Sequence, residues 1–81
     1  MHSTTVDSSV ILSVGYDDRR QILKVRFRNG RIYYYLDVPP SAYAALMSSP
    51  SVGRYFNETI RPAYRAVAER DLRRAAAAKR R

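Results

Sequence analysis

Apolar residues alternate with polar ones in the first half of the chain and recur at helical spacing in the second. A polar leader, Met1 to Asp7, is expected to be disordered. Ser8 to Val14 (SSVILSV) reads as a first strand, with Val10, Ile11, Leu12 and Val14 as its apolar content. Gly15-Tyr16-Asp17-Asp18-Arg19-Arg20 supplies turn chemistry. From Gln21 to Arg28 the alternation is clean: Leu23, Val25 and Phe27 on one side, Lys24, Arg26 and Arg28 on the other. That period marks a half-buried strand. Asn29-Gly30 is a strong hairpin signal. Arg31 to Leu36 (RIYYYL) returns as the partner strand, rich in residues that suit a pleated surface.

Helices are expected after Pro39-Pro40, which closes the strand and can occupy a helix start. Tyr43, Leu46 and Met47 form one apolar face of a short helix ending near Ser49-Pro50. Ser51 can cap the next helix, where Val52, Tyr55, Phe56 and Ile60 share a stripe and Arg54, Asn57, Glu58 and Arg61 lie off it. Pro62 interrupts that helix or starts another. Ala63 to Ala78 favours helix by propensity, although Tyr64, Val67 and Leu72 give it a weak apolar face. Strands first and helices after predict an α+β fold. The expectation is a three-stranded antiparallel meander followed by two or three short helices packed on one face, the other face wet.

Hairpin register decides where the tyrosines point, and the sequence permits two answers. With a two-residue Asn29-Gly30 turn, Arg26 opposes Tyr33 and Lys24 opposes Tyr35, so both tyrosines stand among the cations. With a three-residue Arg28-Asn29-Gly30 loop carrying a glycine bulge, Val25 opposes Tyr33 and the tyrosines join the core. A slip of one residue exchanges the faces. In both registers Lys24, Arg26 and Arg28 share the face opposite Leu23, Val25 and Phe27.

Composition narrows the class. Eighty-one residues make one small domain, and 46% apolar with 27% charged residues argues for a folded chain. The absence of cysteine excludes disulfides and thiolate zinc sites and fits a reducing cytoplasm. No apolar run approaches the roughly 20 residues of a membrane span, and residues 1–9 have neither the basic start nor the apolar stretch of a secretory signal. The net charge of +8 points to a polyanionic partner: RNA, DNA, or an acidic protein or lipid surface. Much of it is terminal. Residues 65–81 hold seven basic residues against Glu69 and Asp71. The expected organisation is therefore a leader over 1–7, a domain over 8–64 and a basic Ala/Arg-rich helix or tail over 65–81.

Tyr16-Asp17, Leu23-x-Val25-x-Phe27-x-x-Gly30, Tyr33-x-Tyr35, Val38-Pro39, Tyr43 and Ser51-x-Gly53-x-Tyr55-Phe56-Asn57-x-x-Ile60-Arg61 form a recognisable pattern. It resembles the KTSC domain, a short domain named from the C-terminus of some lysyl-tRNA synthetases and also found alone in small bacterial and phage proteins. The resemblance spans roughly residues 8–64. It implies an RNA partner, tRNA included, and says nothing of the basic extension after Tyr64.

The candidate nucleic-acid-binding residues are Lys24, Arg26, Arg28, Arg31, Tyr33, Tyr35, Arg54 and Arg61. The lysine–arginine stripe would track phosphates, with affinity falling steeply in salt. Tyr33 and Tyr35 would stack unpaired bases, or else pack as core aromatics. Arg54 and Arg61, seven apart, would share a helix face and grip phosphate, or pair with Glu58. Gly53 offers a backbone approach at a helix start, or is small because two elements pack closely there. Arg70, Arg73, Arg74, Lys79, Arg80 and Arg81 suit nonspecific contact, or form a soluble tail. The rival class is a protein–protein adaptor or phage effector, docking a larger partner through an aromatic and basic surface. Membrane-surface binding fits poorly, because the terminal helix lacks bulky apolar residues.

Catalysis finds little material. His2 is the lone histidine, Asp17 and Asp18 lie in a turn, Asp37 precedes a proline break, and the three glycines are scattered. No catalytic residue, metal site or cofactor is expected.

Overall fold

Around Asn29-Gly30 the chain settles the register that the sequence left open. In the computed structural model, which describes residues 3–6 and 8–71, Phe27 N–H donates to the Arg31 carbonyl at 2.9 Å and Gly30 N–H to the Phe27 carbonyl at 3.0 Å. Arg28-Asn29-Gly30 is thus a three-residue loop. Gly30 sits at φ +91°, where a side chain would be strained, and Asn29 Oδ1 accepts from Arg31 N–H at 2.9 Å. Leu23 lies opposite Tyr35 and Val25 opposite Tyr33. The glycine-bulge register is the one adopted.

The sheet has five antiparallel strands in sequential order: β1 (Ser3–Thr5), β2 (Ile11–Asp17), β3 (Ile22–Phe27), β4 (Ile32–Tyr35) and β5 (Ala66–Ala68). The expected three-stranded meander is its centre, and two segments that polarity and helix propensity assigned elsewhere complete its edges. Ser3–Thr5, in the stretch read as a disordered leader, pairs with Gly15 to Ser13. Ala66–Ala68, read as helical, pairs with Tyr35 to Tyr33, and Leu36 N–H donates to the Arg65 carbonyl at 2.9 Å. Three residues show no usable alternation. What makes them strands is the open backbone edge of a neighbour, which for Ala66–Ala68 outweighs alanine's strong helical propensity.

β2 begins later and ends later than its sequence pattern indicated. Gly15, Tyr16 and Asp17 belong to the strand, and the turn occupies residues 18–21. Asp17 Oδ1 accepts from Arg19 N–H at 3.1 Å and Arg20 N–H at 3.2 Å, and Gln21 takes φ +56°. A bulge between Ile11 and Ser13 sets the strand's phase.

Helices α1 (Pro40–Ser48) and α2 (Val52–Tyr55) and a π-helical turn (Phe56–Ile60) cover one sheet face. Ser51 caps α2, its hydroxyl accepting from Arg54 N–H at 3.4 Å. The core joins Ile11, Val14, Leu23, Val25 and Tyr35 of the sheet to Val38, Leu46, Phe56 and Ile60, with Val6 at its margin. Residues 69–71 turn helical after β5. The rest of the expected terminal helix, with Arg73, Arg74, Lys79, Arg80 and Arg81, lies outside the described residues. Among the described residues no helix is long and apolar enough to cross a membrane.

Candidate nucleic-acid interface

Strand alternation divides the candidate residues between two faces. On the outer face, away from the helices, Lys24 lies between Gly15 and Tyr34, and Arg26 between Ser13 and Ile32. Arg26 is exposed and Lys24 half-buried. Val67 of β5 extends the same row beyond Tyr34, and the Tyr34 hydroxyl donates to Glu69 Oε1 at 3.0 Å. Arg28 opens the loop, its Nε–H on the Ser8 carbonyl at 2.6 Å. Lys24 and Arg26 therefore stay on the face away from the helices, whereas Arg28, in the loop, reaches back to Ser8, on which Gly53 of α2 packs. Tyr34, absent from the sequence-derived candidates, is the aromatic that accompanies them. The signal was present: in Tyr33-Tyr34-Tyr35, whichever face takes the outer two must send the middle one to the other side.

Tyr33 and Tyr35 belong to the inner face. Tyr35 is 4% exposed, its ring edge-on to Phe56 at 5.2 Å between centroids. Tyr33 is half-buried, edge-on to Phe27 at 5.8 Å, and Phe27 meets Phe56 at 5.7 Å. The helices do not cover all of this face. The chain leaves the π-helical turn at Arg61-Pro62 and swings out to form β5, whose inward positions are Ala66 opposite Tyr35 and Ala68 opposite Tyr33. Two methyl groups cannot fill the space beside two phenols. An open groove of about 570 Å³ results, lined by Val10, Phe27, Asn29, Arg31, Tyr33, Tyr35, Arg61, Tyr64 and Ala66. Val10, counted at sequence level as strand content, precedes β2 and is 48% exposed on this rim.

Among the described residues, no carboxylate lines the groove. Among the described residues, Arg31 and Arg61 make no ion pair. Burial raises the Tyr35 phenol above its ordinary value, Arg61 draws it back down, and Tyr33 pushes it up. Both effects identify Arg61 and Tyr33 as close electrostatic neighbours of that hydroxyl. Tyr35 is therefore a neutral donor at physiological pH.

Arg54 is elsewhere. Its Nε–H meets Glu58 Oε1 at 3.1 Å, and both border a separate cleft with Ser49, Pro50, Ser51 and Tyr55. The shared face expected for Arg54 and Arg61 fails because Arg61 N–H bonds the Phe56 carbonyl, an i→i+5 closure at 2.9 Å. The wider turn adds a residue and breaks α-helical spacing. Gly53 has a packing role: a Cβ there would come within 2.7 Å of Ser8 Oγ. No cluster of three or more metal-ligating side chains exists among the described residues.

Comparison with known proteins finds a match to the KTSC domain over residues 7–64. A protein from Tsukamurella paurometabola is 44% identical over 63 residues, covering 78% of this chain and 94% of its own. A lysine–tRNA ligase from Nostoc punctiforme is 38% identical over 55 residues, which is 68% of this chain and 10% of that protein. The crystal structure of a KTSC domain protein from Yersinia pestis superposes with a TM-score of 0.79 at 37% identity, over 83% of this chain and 94% of that one.

Proposed function

This chain belongs to the KTSC domain family, and we propose that it works as a small non-catalytic module that binds single-stranded RNA. The reading rests on a belt of cations around the tip of the β3–β4 hairpin. Lys24 and Arg26 occupy the outer face, Arg28 opens the loop, and Arg31 stands across it, lining the inner groove. Tyr34 on one face and Tyr33 on the other interleave aromatic rings with those charges. Arginine and lysine along a strand capture phosphates by releasing counterions, and neighbouring aromatic rings accept unpaired bases without demanding a sequence. A duplex would not offer its bases to either surface. A matching segment in a lysine–tRNA ligase supports an RNA setting, tRNA among the candidates.

Titrating a short fluorescent single-stranded RNA against the full chain over a range of salt tests this. Log affinity should fall linearly with log salt, and Lys24→Gln with Arg26→Gln should reduce the slope by about one for each phosphate no longer neutralised. Unchanged affinity in that double variant would remove the outer face from the interface. A stoichiometric complex with a protein partner that persists in high salt, without RNA binding, would favour the adaptor reading.

A further inference from the structure

We infer that the inner groove is a subsite for one unpaired nucleotide of the bound strand, its base against the Tyr33 and Tyr64 rings and its phosphate on Arg31 and Arg61. The inference deepens the RNA reading and rests on it. At about 570 Å³ the groove falls within the range of small-ligand sites, roughly 300–1,000 Å³. Its walls are held in place: Phe27 and Phe56 meet the Tyr33 and Tyr35 rings edge-on at 5.8 and 5.2 Å, so ordering them on binding costs little.

The chemistry of the lining selects the occupant. Aromatic faces call for a planar or apolar group. Two guanidinium groups, with no carboxylate among the described residues that line the groove, call for an anion, and arginine's fork suits phosphate. The hydroxyls of Tyr33, Tyr35 and Tyr64 form no hydrogen bond with other described residues, leaving donors and acceptors for a base edge. An apolar peptide would leave both guanidiniums unanswered. A free inorganic anion would leave the rings unused. A nucleotide answers all three, and the belt from Arg26 through Arg28 to Arg31 leads a strand from the outer face to the groove mouth.

The test uses the same fluorescent RNA with Ala66→Trp, which places an indole in the groove on a strand that tolerates it, and with Arg61→Gln, which leaves the packing alone. Circular dichroism and amide spectra confirm that each variant is folded. Both should bind about tenfold or more weakly, Arg61→Gln with a salt slope shallower by about one. RNA-induced amide shifts in the wild type should include β4 and residues 61–66. Wild-type affinity in both groove variants, combined with weakened binding in Lys24→Gln/Arg26→Gln, would overturn the subsite and leave the RNA reading standing. An apolar peptide that shifts the groove amides while the RNA does not would also overturn it. Failure of the wild type to bind RNA at all would overturn both.

Discussion

Tyr33, Tyr34 and Tyr35 are chemically identical and do three different things. Tyr35 is a core residue that also lines the groove, as Tyr33 does, and Tyr34 faces outward beside Lys24. Tyr16 adds a fourth role. Its hydroxyl donates to the Val38 carbonyl at 2.6 Å, and its ring stacks on Tyr43 of α1 at 4.6 Å, nearly parallel. Burial raises the Tyr35 phenol above 10.0, so the folded state holds that proton more tightly than the unfolded chain. The associated stability is complete below pH about 10 and disappears as pH rises through the higher folded value. Tyr35→Phe keeps the ring and removes the titration. Its melting temperature should fall less steeply than the wild type's across that alkaline range, and parallel profiles would refute the assignment. At this scale the sequence made the alternation legible but not the register, because one residue in the loop at Asn29-Gly30 exchanges the faces.

Elements act through their ends. The start of α2 packs on the segment ahead of β2, where Ser8 Oγ accepts from Val10 N–H and Ile11 N–H, both at 3.2 Å. Gly53 lies against that hydroxyl, with space for a Cβ only if Ser8 gives up its position. Gly53→Ala should therefore destabilise the protein by about 1 kcal/mol through the displaced hydrogen bonds, despite alanine's better helical propensity. With Ser8→Ala already present the clash is relieved, and Gly53→Ala should become neutral or stabilising. Denaturant midpoints for the four proteins of this cycle decide the matter; additive effects would disprove the coupling. The helix stripe of Val52, Tyr55, Phe56 and Ile60 was legible in the sequence, and Phe56 and Ile60 are buried as it implies. The π-helical closure was not, since it depends on how residues 56–61 fit between the sheet and the chain leaving for β5. That is why Arg54 and Arg61 part company.

Over the whole molecule, Phe56 joins the layers. It is 1% exposed and meets Phe27 and Tyr35 from two adjacent strands. Removing a buried phenylalanine costs about 3–5 kcal/mol, comparable to the total stability of a domain this small. Phe56→Ala should lose amide dispersion and cooperative thermal unfolding, whereas Phe56→Leu should retain both at a lower melting temperature. A cooperative Phe56→Ala would place the centre of the core elsewhere. The same ring supports Tyr35 and, through Phe27, Tyr33, so the groove wall depends on the core that holds the layers together.

Local pattern by itself determined the α+β class, the central hairpin, the inward set Leu23, Val25 and Phe27, the outward pair Lys24 and Arg26, the Ser51 cap and the family motif, while Arg28, expected beside that pair, lies in the loop. All of these follow from neighbours a few residues apart along the chain. Only the tertiary structure decided that Ser3–Thr5 and Ala66–Ala68 are strands, that Tyr33 and Tyr35 face the helices, and that a cationic aromatic groove opens beside them. Short edge strands are made by the partner whose backbone they complete, and the groove by two alanines lying opposite two tyrosines more than thirty positions earlier in the sequence. Such pairings across long chain separations leave no periodic trace in the residues themselves.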